Sequence, residues 1–559
     1  MRSAESPARE RGATQSRLVR AHEPPARERG ATQSQRVRAH TIHIARGRGR
    51  KQPAASRHNN PWRARARPDR ASALAPENPL RARSGPRYDA GMRKHHFPAV
   101  LLEALILIPL ALEPGAARAS GFMVSKMGGD LSGPTEPNGA ATFWNPAATG
   151  AIGGSSVFLD ATWIWREASF QRDWAAGFDP GARKSDPGRL STFAVMPMAA
   201  ATWTLPRHDW ITLGFGFYVP YGNRSDWPAF DLAAERAKDP LDQAAPAQAY
   251  QALSGHLETY FFTPTLALRL TEGVYFGAGV SWIHTELALT RLLDVGSGIF
   301  PPETLASSAL SALDFSGDDP GWSVGLLLFL ADGLRVGLSF TAGTRLDLDG
   351  RARVTLPPLF APAGGPDSVE STARMELRLP AALRAGIHVD VTEWLVLRLN
   401  LEYVAWSEFS GIRVHELAFP DIGGLAGSVL AQQKDFESRR QYRDTLDVRF
   451  GARVFPVPWW MIFGGVGLDQ NAIPDEAQGA DIFDSLKIGL AVGSRLDVQG
   501  LLEAFSLAGP ALPRLYLTVG INGIFFLENQ VRGNALESPL DGTYRSRVLL
   551  LSTSLETRY

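Results

Sequence analysis

The chain has 559 residues, 44% of them hydrophobic and 21% charged, with no cysteine and a formal net charge of +1. The missing cysteines exclude disulfides, thiolate metal sites and cysteine nucleophiles. The near-zero charge averages two unlike parts: residues 1–91 hold 21 Lys and Arg against 7 Asp and Glu, while residues 120–559 carry about −14.

Residues 1–91 are dominated by Arg, Pro, Ala and Gly. "PARERGATQS" at Pro7–Ser16 recurs at Pro25–Ser34, and "VRAH" follows both copies. No apolar periodicity accompanies the repeat, so the segment builds no core. It reads either as a disordered basic arm or as an extension upstream of a true start at Met92. From Met92 come Arg93 and Lys94, an apolar run from Phe97 to Leu112, and Ala117-Arg118-Ala119. That is the order of a secretory signal peptide, assigned to residues 92–119. Its apolar run is too short to span a bilayer as a helix, and no later stretch reaches 18 apolar residues. The expected mature chain starts at Ser120 and is exported.

Residues 120–153 are rich in Gly, Pro, Ala and Ser and low in strand pattern. At their centre Pro146, in Asn145-Pro146-Ala147, fixes its own φ and lacks a donor, which argues against a strand interior. From Val157 the pattern changes to a period of two. Val157, Leu159, Ala161, Trp163 and Trp165 share one face; Phe158 and Ile164 interrupt the polar face opposite. Leu334–Phe340, Leu395–Tyr403 and Leu486–Gly493 alternate more cleanly. Such runs fit strands with one apolar and one polar face.

About 14 strands are expected, near 155–169, 192–205, 210–221, 257–270, 273–290, 318–331, 334–349, 373–391, 394–414, 445–455, 459–468, 484–496, 513–527 and 544–559. Long and short links alternate between them, with one exception near 497–512. Short turns at one end, long loops at the other and an even strand count are the pattern of an outer-membrane barrel. A soluble sandwich is the alternative, but the strands are longer than soluble sheets use. Trp163, Trp165, Tyr218, Tyr221, Trp459 and Trp460 are expected as interfacial girdles. The fold class is therefore all-β, a transmembrane antiparallel barrel over residues 154–559 with both termini in the periplasm.

Further motifs are spread along the chain in order. They are Ser120-Gly121-Phe122, Asn145-Pro146-Ala147, "YVPYG" (Tyr218–Gly222), "TPTLALRL" (Thr263–Leu270) and "SGDDPGW" (Ser316–Trp322). "LPAALRAGI" (Leu379–Ile387), "LEYVAWSEF" (Leu401–Phe409), "YRDT" (Tyr442–Thr445) and "GVGLDQNAIPD" (Gly465–Asp475) follow. Together they resemble the FadL/TodX (OmpP1) family of outer-membrane transporters for long-chain fatty acids and other hydrophobic compounds. The resemblance implies that residues 120–153 form an N-terminal hatch inside the lumen, centred on Asn145, Pro146 and Ala147. The other reading makes those three residues a turn into the first strand.

The resemblance also implies uptake by binding in outer loops, transfer to an inner apolar pocket and lateral release past the hatch. Phe122 matches the aromatic beside the family's inner ligand. Leu305, Leu310 and Leu313 are expected on a helix face in the third outer loop, and Phe360 in the fourth. These loop residues either present a ligand groove or simply pack on the rim. Arg291, Arg345, Arg351 and Arg353 are the candidate carboxylate partners. Expected partners are a fatty acid or other hydrophobic small molecule, outer-membrane lipid and lipopolysaccharide, and the barrel-assembly machinery. The chain is expected to be a monomer in the outer membrane of a Gram-negative bacterium, with no nucleic acid, metal or cofactor.

No catalytic residue is assigned. Ser281 and His284 fall on opposite faces of one strand and cannot pair locally. His284 and Glu286 share a face, as rim contacts do. No G-x-S-x-G occurs. The competing function is a general diffusion porin, with an open, charge-lined lumen and no hydrophobic specificity.

Overall fold

The computed structural model describes residues 127–559, apart from 174–186, 240–242, 296–302, 361–365, most of 423–434, 508–512 and 537–539. The expectations for residues 1–91, the signal peptide 92–119 and Phe122 lie outside the described residues.

The described chain forms one closed antiparallel barrel of fourteen strands. They are β1 (Ser156–Arg172), β2 (Gly188–Leu205), β3 (His208–Tyr218 and Gly222–Arg224), β4 (Ser254–Thr271) and β5 (Val274–Asp294). Next are β6 (Ser308–Ala331), β7 (Leu334–Thr341 and Thr344–Thr355), β8 (Ser368–Leu379 and Ala382–Thr392) and β9 (Leu395–Val404 and Gly411–His415). Then come β10 (Phe436–Arg439 and Thr445–Val457), β11 (Trp460–Asp469), β12 (Lys487–Asp497), β13 (Arg514–Phe526 and Asn529–Val531) and β14 (Gly542–Arg558). Closure is made by β1 and β14, paired from Ser156↔Arg558 to Arg172↔Gly542. At the end carrying both strand termini, five links are two-residue turns, such as Pro206-Arg207 and Asp332-Gly333. The exceptional sixth link holds a short helix, Val498–Ala504, capped by Asp497, which accepts from Gly500 N at 3.0 Å.

Alternation sorts the side chains as the period-two pattern requires. On β2, Phe193, Val195 and Trp203 face outward, while Met196, Met198, Ala200 and Thr202 are buried. The outward positions from Phe193 to Trp203 carry no charge, as lipid contact demands, since a charge at the bilayer midplane costs about 2–4 kcal/mol. Exposed Trp165, Trp203, Trp210, Trp282, Trp322, Trp394 and Trp460 supply the outer aromatics. Tyr218 and Tyr221 do not. Both are buried in the lumen, where Tyr218 stacks on Phe261 at 5.5 Å and Tyr221 meets Trp406 edge-on at 6.5 Å.

The sequence understated the height of one side. β6 starts at Ser308, ten residues before the expected start, and runs 24 residues, roughly 80 Å along the strand at 3.3 Å per residue. A tilted apolar band about 25 Å tall accounts for only part of this length. The top rungs of β6–β8 carry outward charges instead, including Asp314, Arg345, Asp347, Arg351 and Glu376.

The lumen is filled from the N-terminal side. Residues 127–154 pack against inward-facing positions around the wall, with Ala140, Ala141, Asn145 and Ala147 fully buried. Paired glycines make room for them: Gly277 of β5 faces Gly325 of β6, and Gly337 of β7 faces Gly386 of β8. A Cβ on Gly277 would collide with the Pro146-Ala147 backbone, one on Gly325 with Asn145 Oδ1 and one on Gly337 with the Pro134 carbonyl. Asn145 Nδ2 donates to the Pro134 carbonyl at 2.8 Å and to the Leu326 carbonyl of β6 at 3.0 Å. Its Oδ1 accepts from Ala147 N at 3.1 Å.

Charge completes the attachment. Glu136 lies 2.7 Å from Arg453 of β10, 3.0 Å from His388 of β8 and 3.9 Å from Arg398 of β9. Arg398 also donates to the carbonyls of Asp130 and Leu131, and Arg453 to that of Leu131, at 2.8–2.9 Å. Burial alone would raise the Glu136 carboxyl, but Arg453, His388 and Arg398 together hold it well below the usual carboxylate range.

Two outcomes are expected. Replacing Gly325 by Val should leave a folded, heat-modifiable barrel while expelling Asn145 from its notch, read as raised conductance in planar bilayers; an unchanged conductance would contradict the packing described. Glu136→Gln strands two buried guanidiniums, a loss of about 3–5 kcal/mol in such pairs, and should expose Asp130–Pro137 to limited proteolysis. In the unaltered chain the depressed pKa means the stabilisation is complete at neutral pH. It fades as pH falls below the unbound value of about 4.3 toward the lower bound value, so protease sensitivity should rise only in acid.

Candidate functional site

Among the described residues, the wall is interrupted between β2 and β3. β2 pairs with β3 from Leu205↔His208 to Met198↔Tyr218, where the ladder ends. β3 breaks over Val219-Pro220-Tyr221 and resumes as Gly222–Arg224, paired with β4 from Gly222↔Glu258 to Arg224↔His256. Among the described residues, Gly188–Pro197 of β2 therefore have a strand partner, β1, on one side only. Both lips carry proline. Pro197 and Pro220 have no N–H to leave unpaired, which is why a strand edge tolerates them.

Behind the gap lies a cavity of about 310 Å³, at the lower end of the range of roughly 300–1,000 Å³ for small-molecule sites. Val195, Pro197, Val219 and Pro220 form its outer part; Ile164, Met196, Leu257, Ile482, Phe483 and Phe526 continue it inward. Four cationic side chains (Arg166, Arg224, Arg449, Lys487) and two anionic ones (Glu258, Asp469) also line it. Most are engaged. Lys487 is 2.9 Å from Asp484, Arg449 is 3.2 Å from Glu402, and Arg224 is 2.6 Å from Asp226. Burial pushes the Asp484 carboxyl up to about 6, and Lys487 keeps it from rising further. Arg166 is held differently. Its Nη1 donates to Asn223 Oδ1 at 3.2 Å, its Nε reaches Ser546 Oγ at 3.5 Å, and its guanidinium lies 4.9 Å from the Phe483 ring.

A second cavity of about 380 Å³ lies at the wide-loop end of the lumen. Leu287, Leu289, Leu313, Met375 and Ile412 give it apolar walls, and Arg291 and Arg439 stand among them. Between the two cavities and the segment 127–154 sits an aromatic layer. Phe409 and Tyr442 are 4.7 Å apart, Trp406 and Tyr442 6.2 Å, and Phe143 and Tyr218 5.2 Å. The Arg384 guanidinium, 4.5 Å from the Phe143 ring, donates to Glu402 at 2.6 Å.

The residues singled out in the sequence are dispersed. Arg291 and Leu313 reach the upper cavity. Leu305 is buried with Leu232, Tyr250 and Leu292, and Leu310 packs on the same cluster. The expected helix face is not formed: only Leu305–Ser307 make a single 3₁₀ turn, and Leu310 and Leu313 belong to β6. Backbone pairing with β5 (Leu292↔Leu310, Leu289↔Leu313) overrides the helical spacing. Phe360 packs on a cluster containing Leu293, Val354 and Val369. Arg351 projects from the outer surface, as do Arg345 and Arg353, which pair with Asp347 and Glu370. The resemblance implied an inner pocket and lateral release but named no residues of the inner cavity beyond Phe122; Arg166 and the position of the gap were not foreseen, although Pro220 inside "YVPYG" marked the break.

Ser281 faces the lumen and shares a hydrogen bond with Thr263 at 2.8 Å, while His284 faces outward, 2.9 Å from Asp318. The opposite-face geometry stands, and no nucleophile–base pair forms there. No cluster of three or more His, Asp or Glu suited to a metal occurs among the described residues.

Residues 113–559 match the family described as outer membrane protein transport protein (OMPP1/FadL/TodX). A long-chain fatty acid transport protein of Escherichia coli O6:H1 is 19% identical over 259 residues, covering 42% of this chain and 55% of that protein. The crystal structure of a Pseudomonas aeruginosa FadL homologue, also 19% identical, covers 78% of this chain and all of that one with a TM-score of 0.61. The Pseudomonas putida toluene transporter TodX, 17% identical, covers 79% of this chain and 99% of its own with a TM-score of 0.53. The structural matches share the fold, and the family model, spanning most of the chain, shows that it belongs to the OMPP1/FadL/TodX family of outer-membrane transport proteins.

Proposed function

We propose that this protein takes up long-chain fatty acids or related hydrophobic compounds. They bind first in the upper cavity, pass to the inner cavity and leave sideways between β2 and β3, with the segment before β1 acting as the hatch. The observation that carries this reading is the ladder ending at Met198↔Tyr218 where an apolar cavity reaches the wall. A dozen methylenes gain about 10 kcal/mol in an apolar surrounding over water, so such a compound follows apolar surface and exits into lipid rather than through the hatch. The names of the relatives support the class: one carries long-chain fatty acids, and TodX carries toluene. A diffusion porin needs an open aqueous lumen, and the buried residues 127–154 argue for the hydrophobe route instead.

The absence of cysteine permits a clean test. Cysteines at Pro197 and Val219, the next register pair beyond Met198↔Tyr218, place a reversible staple across the gap. Oxidation should reduce uptake of labelled hexadecanoate to that of cells lacking the protein, and a reductant should restore it. Full uptake with the staple verifiably closed would overturn lateral release.

A further inference from the structure

We propose that the outer wall of β14, β1 and β2 carries a binding site for lipid A, the phosphorylated, many-tailed glycolipid of the outer leaflet, with its phosphates on Arg189, Arg545 and Arg547. The site lies on the outside of the barrel and does not depend on which cargo is carried within.

The register of the three strands builds it rung by rung. Trp163 of β1 faces Val195 of β2 and Leu551 of β14, and Trp165 faces Phe193 and Leu549. These two rungs point outward and are wholly apolar. The next rung toward the wide loops holds Arg547, Glu167 and Ser191, and the one above it holds Arg545, Ser169 and Arg189. The outer face thus turns from apolar to cationic and hydroxylated within one rung, on three strands at once. Ser156–Trp165 already supplies the roughly ten residues that cross a hydrocarbon core. Glu167 and Ser169 therefore stand at head-group height.

An open recess of about 670 Å³ occupies this boundary. The two polar rungs form one side, and Asp226 and Pro228 the other. Three guanidiniums against the carboxylates of Glu167 and Asp226 leave it cationic. Arg547 pairs with Glu167, Arg545 with Glu528 at 2.6 Å, and Asp226 with Arg224 at 2.6 Å, and every one of these side chains is at least 42% exposed. Pairs so open to water hold their partners weakly, whereas a phosphate accepts two parallel guanidinium donors. Among the described residues Arg189 forms no ion pair.

Spacing favours a head group with two phosphates. Arg189 and Arg545 flank β1 at roughly 10 Å, twice the distance between neighbouring strands, and a disaccharide phosphorylated at both ends spans such a distance. Several tails can then lie side by side on the apolar rungs below. The far side of the barrel lacks this arrangement: there the outward arginines of β7 and β8 are matched one to one, Arg345 with Asp347, Arg353 with Glu370 and Arg374 with Asp349.

The test uses the full chain in detergent micelles and counts bound lipid by native mass spectrometry, with lipid A carrying two, one or no phosphates. Affinity should fall with each phosphate removed. The triple variant Arg189→Gln, Arg545→Gln, Arg547→Gln should bind the doubly phosphorylated form about tenfold or more weakly, as the loss of charge-assisted hydrogen bonds implies. Arg345→Gln, Arg353→Gln, Arg374→Gln removes the same charge from the far side and should leave binding unchanged. Ser169→Glu sets a carboxylate between Arg189 and Arg545; it should weaken binding too, and it covers a triple variant that fails to fold. Equal binding of the three lipids, equal loss in the two triple variants, or full binding by both the first triple variant and Ser169→Glu overturns the site. Displacement by inorganic phosphate, or by phosphatidylglycerol at equal concentration, also overturns it, because a free anion or any anionic lipid then serves as well.

Discussion

A backbone inside a bilayer has no water to hydrogen-bond, so each N–H and C=O must find a partner within the protein. In this molecule the solution is a ladder that runs through fourteen strands and closes on itself between β1 and β14. The other features follow from that closure or from its local suspension. Two-residue turns hold neighbouring strands in register at one end. Breaks in β3, β7, β8, β9, β10 and β13 occur where the wall meets the aromatic layer or the wide-loop end. The opening beside Pro197 and Pro220 is a place where strand-to-strand pairing is given up over several residues beside an apolar cavity.

Closing a wall around side chains sets a second problem, since charges facing inward lose bulk water. The inner face solves it by pairing. Arg384 and Arg449 share Glu402; Arg453 and Arg398 share Glu136, which belongs to the segment rather than the wall. The wall alone would leave those two guanidiniums without their carboxylate. A buried pair of this kind adds little net stability over an apolar equivalent, and its value lies in fixing one arrangement. Here it fixes where Asp130–Glu136 sits, while the glycine rungs fix Asn145–Ala147.

The fold was legible because lipid enforces a strict period of two: Leu395–Tyr403 and Leu486–Gly493 announced their strands directly. Height was less legible. Residues 308–317 of β6, SALSALDFSG, mix small residues with Leu310, Leu313, Asp314 and Phe315 and show no clean period of two, and "SGDDPG" resembles a turn although Pro320 lies opposite Trp282 in the ladder. The residues that spoiled the alternation turn out to be informative. Phe158 fills space beside Gly139 of the inner segment, and Ile164 lines the inner cavity. Both are apolar on the lumen face because the lumen is not water at those points. The position of the gap was hidden for a different reason. It is an absence of pairing between two strands that each look regular, and sequence periodicity carries no record of which strand lies beside which.

The seam between β1 and β14 also imposes an order of events during assembly. It brings Thr162 to Ser552 across 390 positions, ending in a 3.1 Å hydroxyl contact. Such a pairing is among the slowest to form, because the intervening chain must first be ordered. The inner segment ends at Gly154, two residues before β1 begins, and is thus tethered to one edge of that seam. Its partners Arg398 and Arg453 lie on the far side of the wall from the tether. Once the last rung forms, no edge remains through which a folded segment of this bulk can pass inward. A segment that arrives after closure has only the ends of the barrel to enter by, and in either order the contacts of Glu136 with Arg453 and Arg398 tie its seating to the wall strands that the seam holds together.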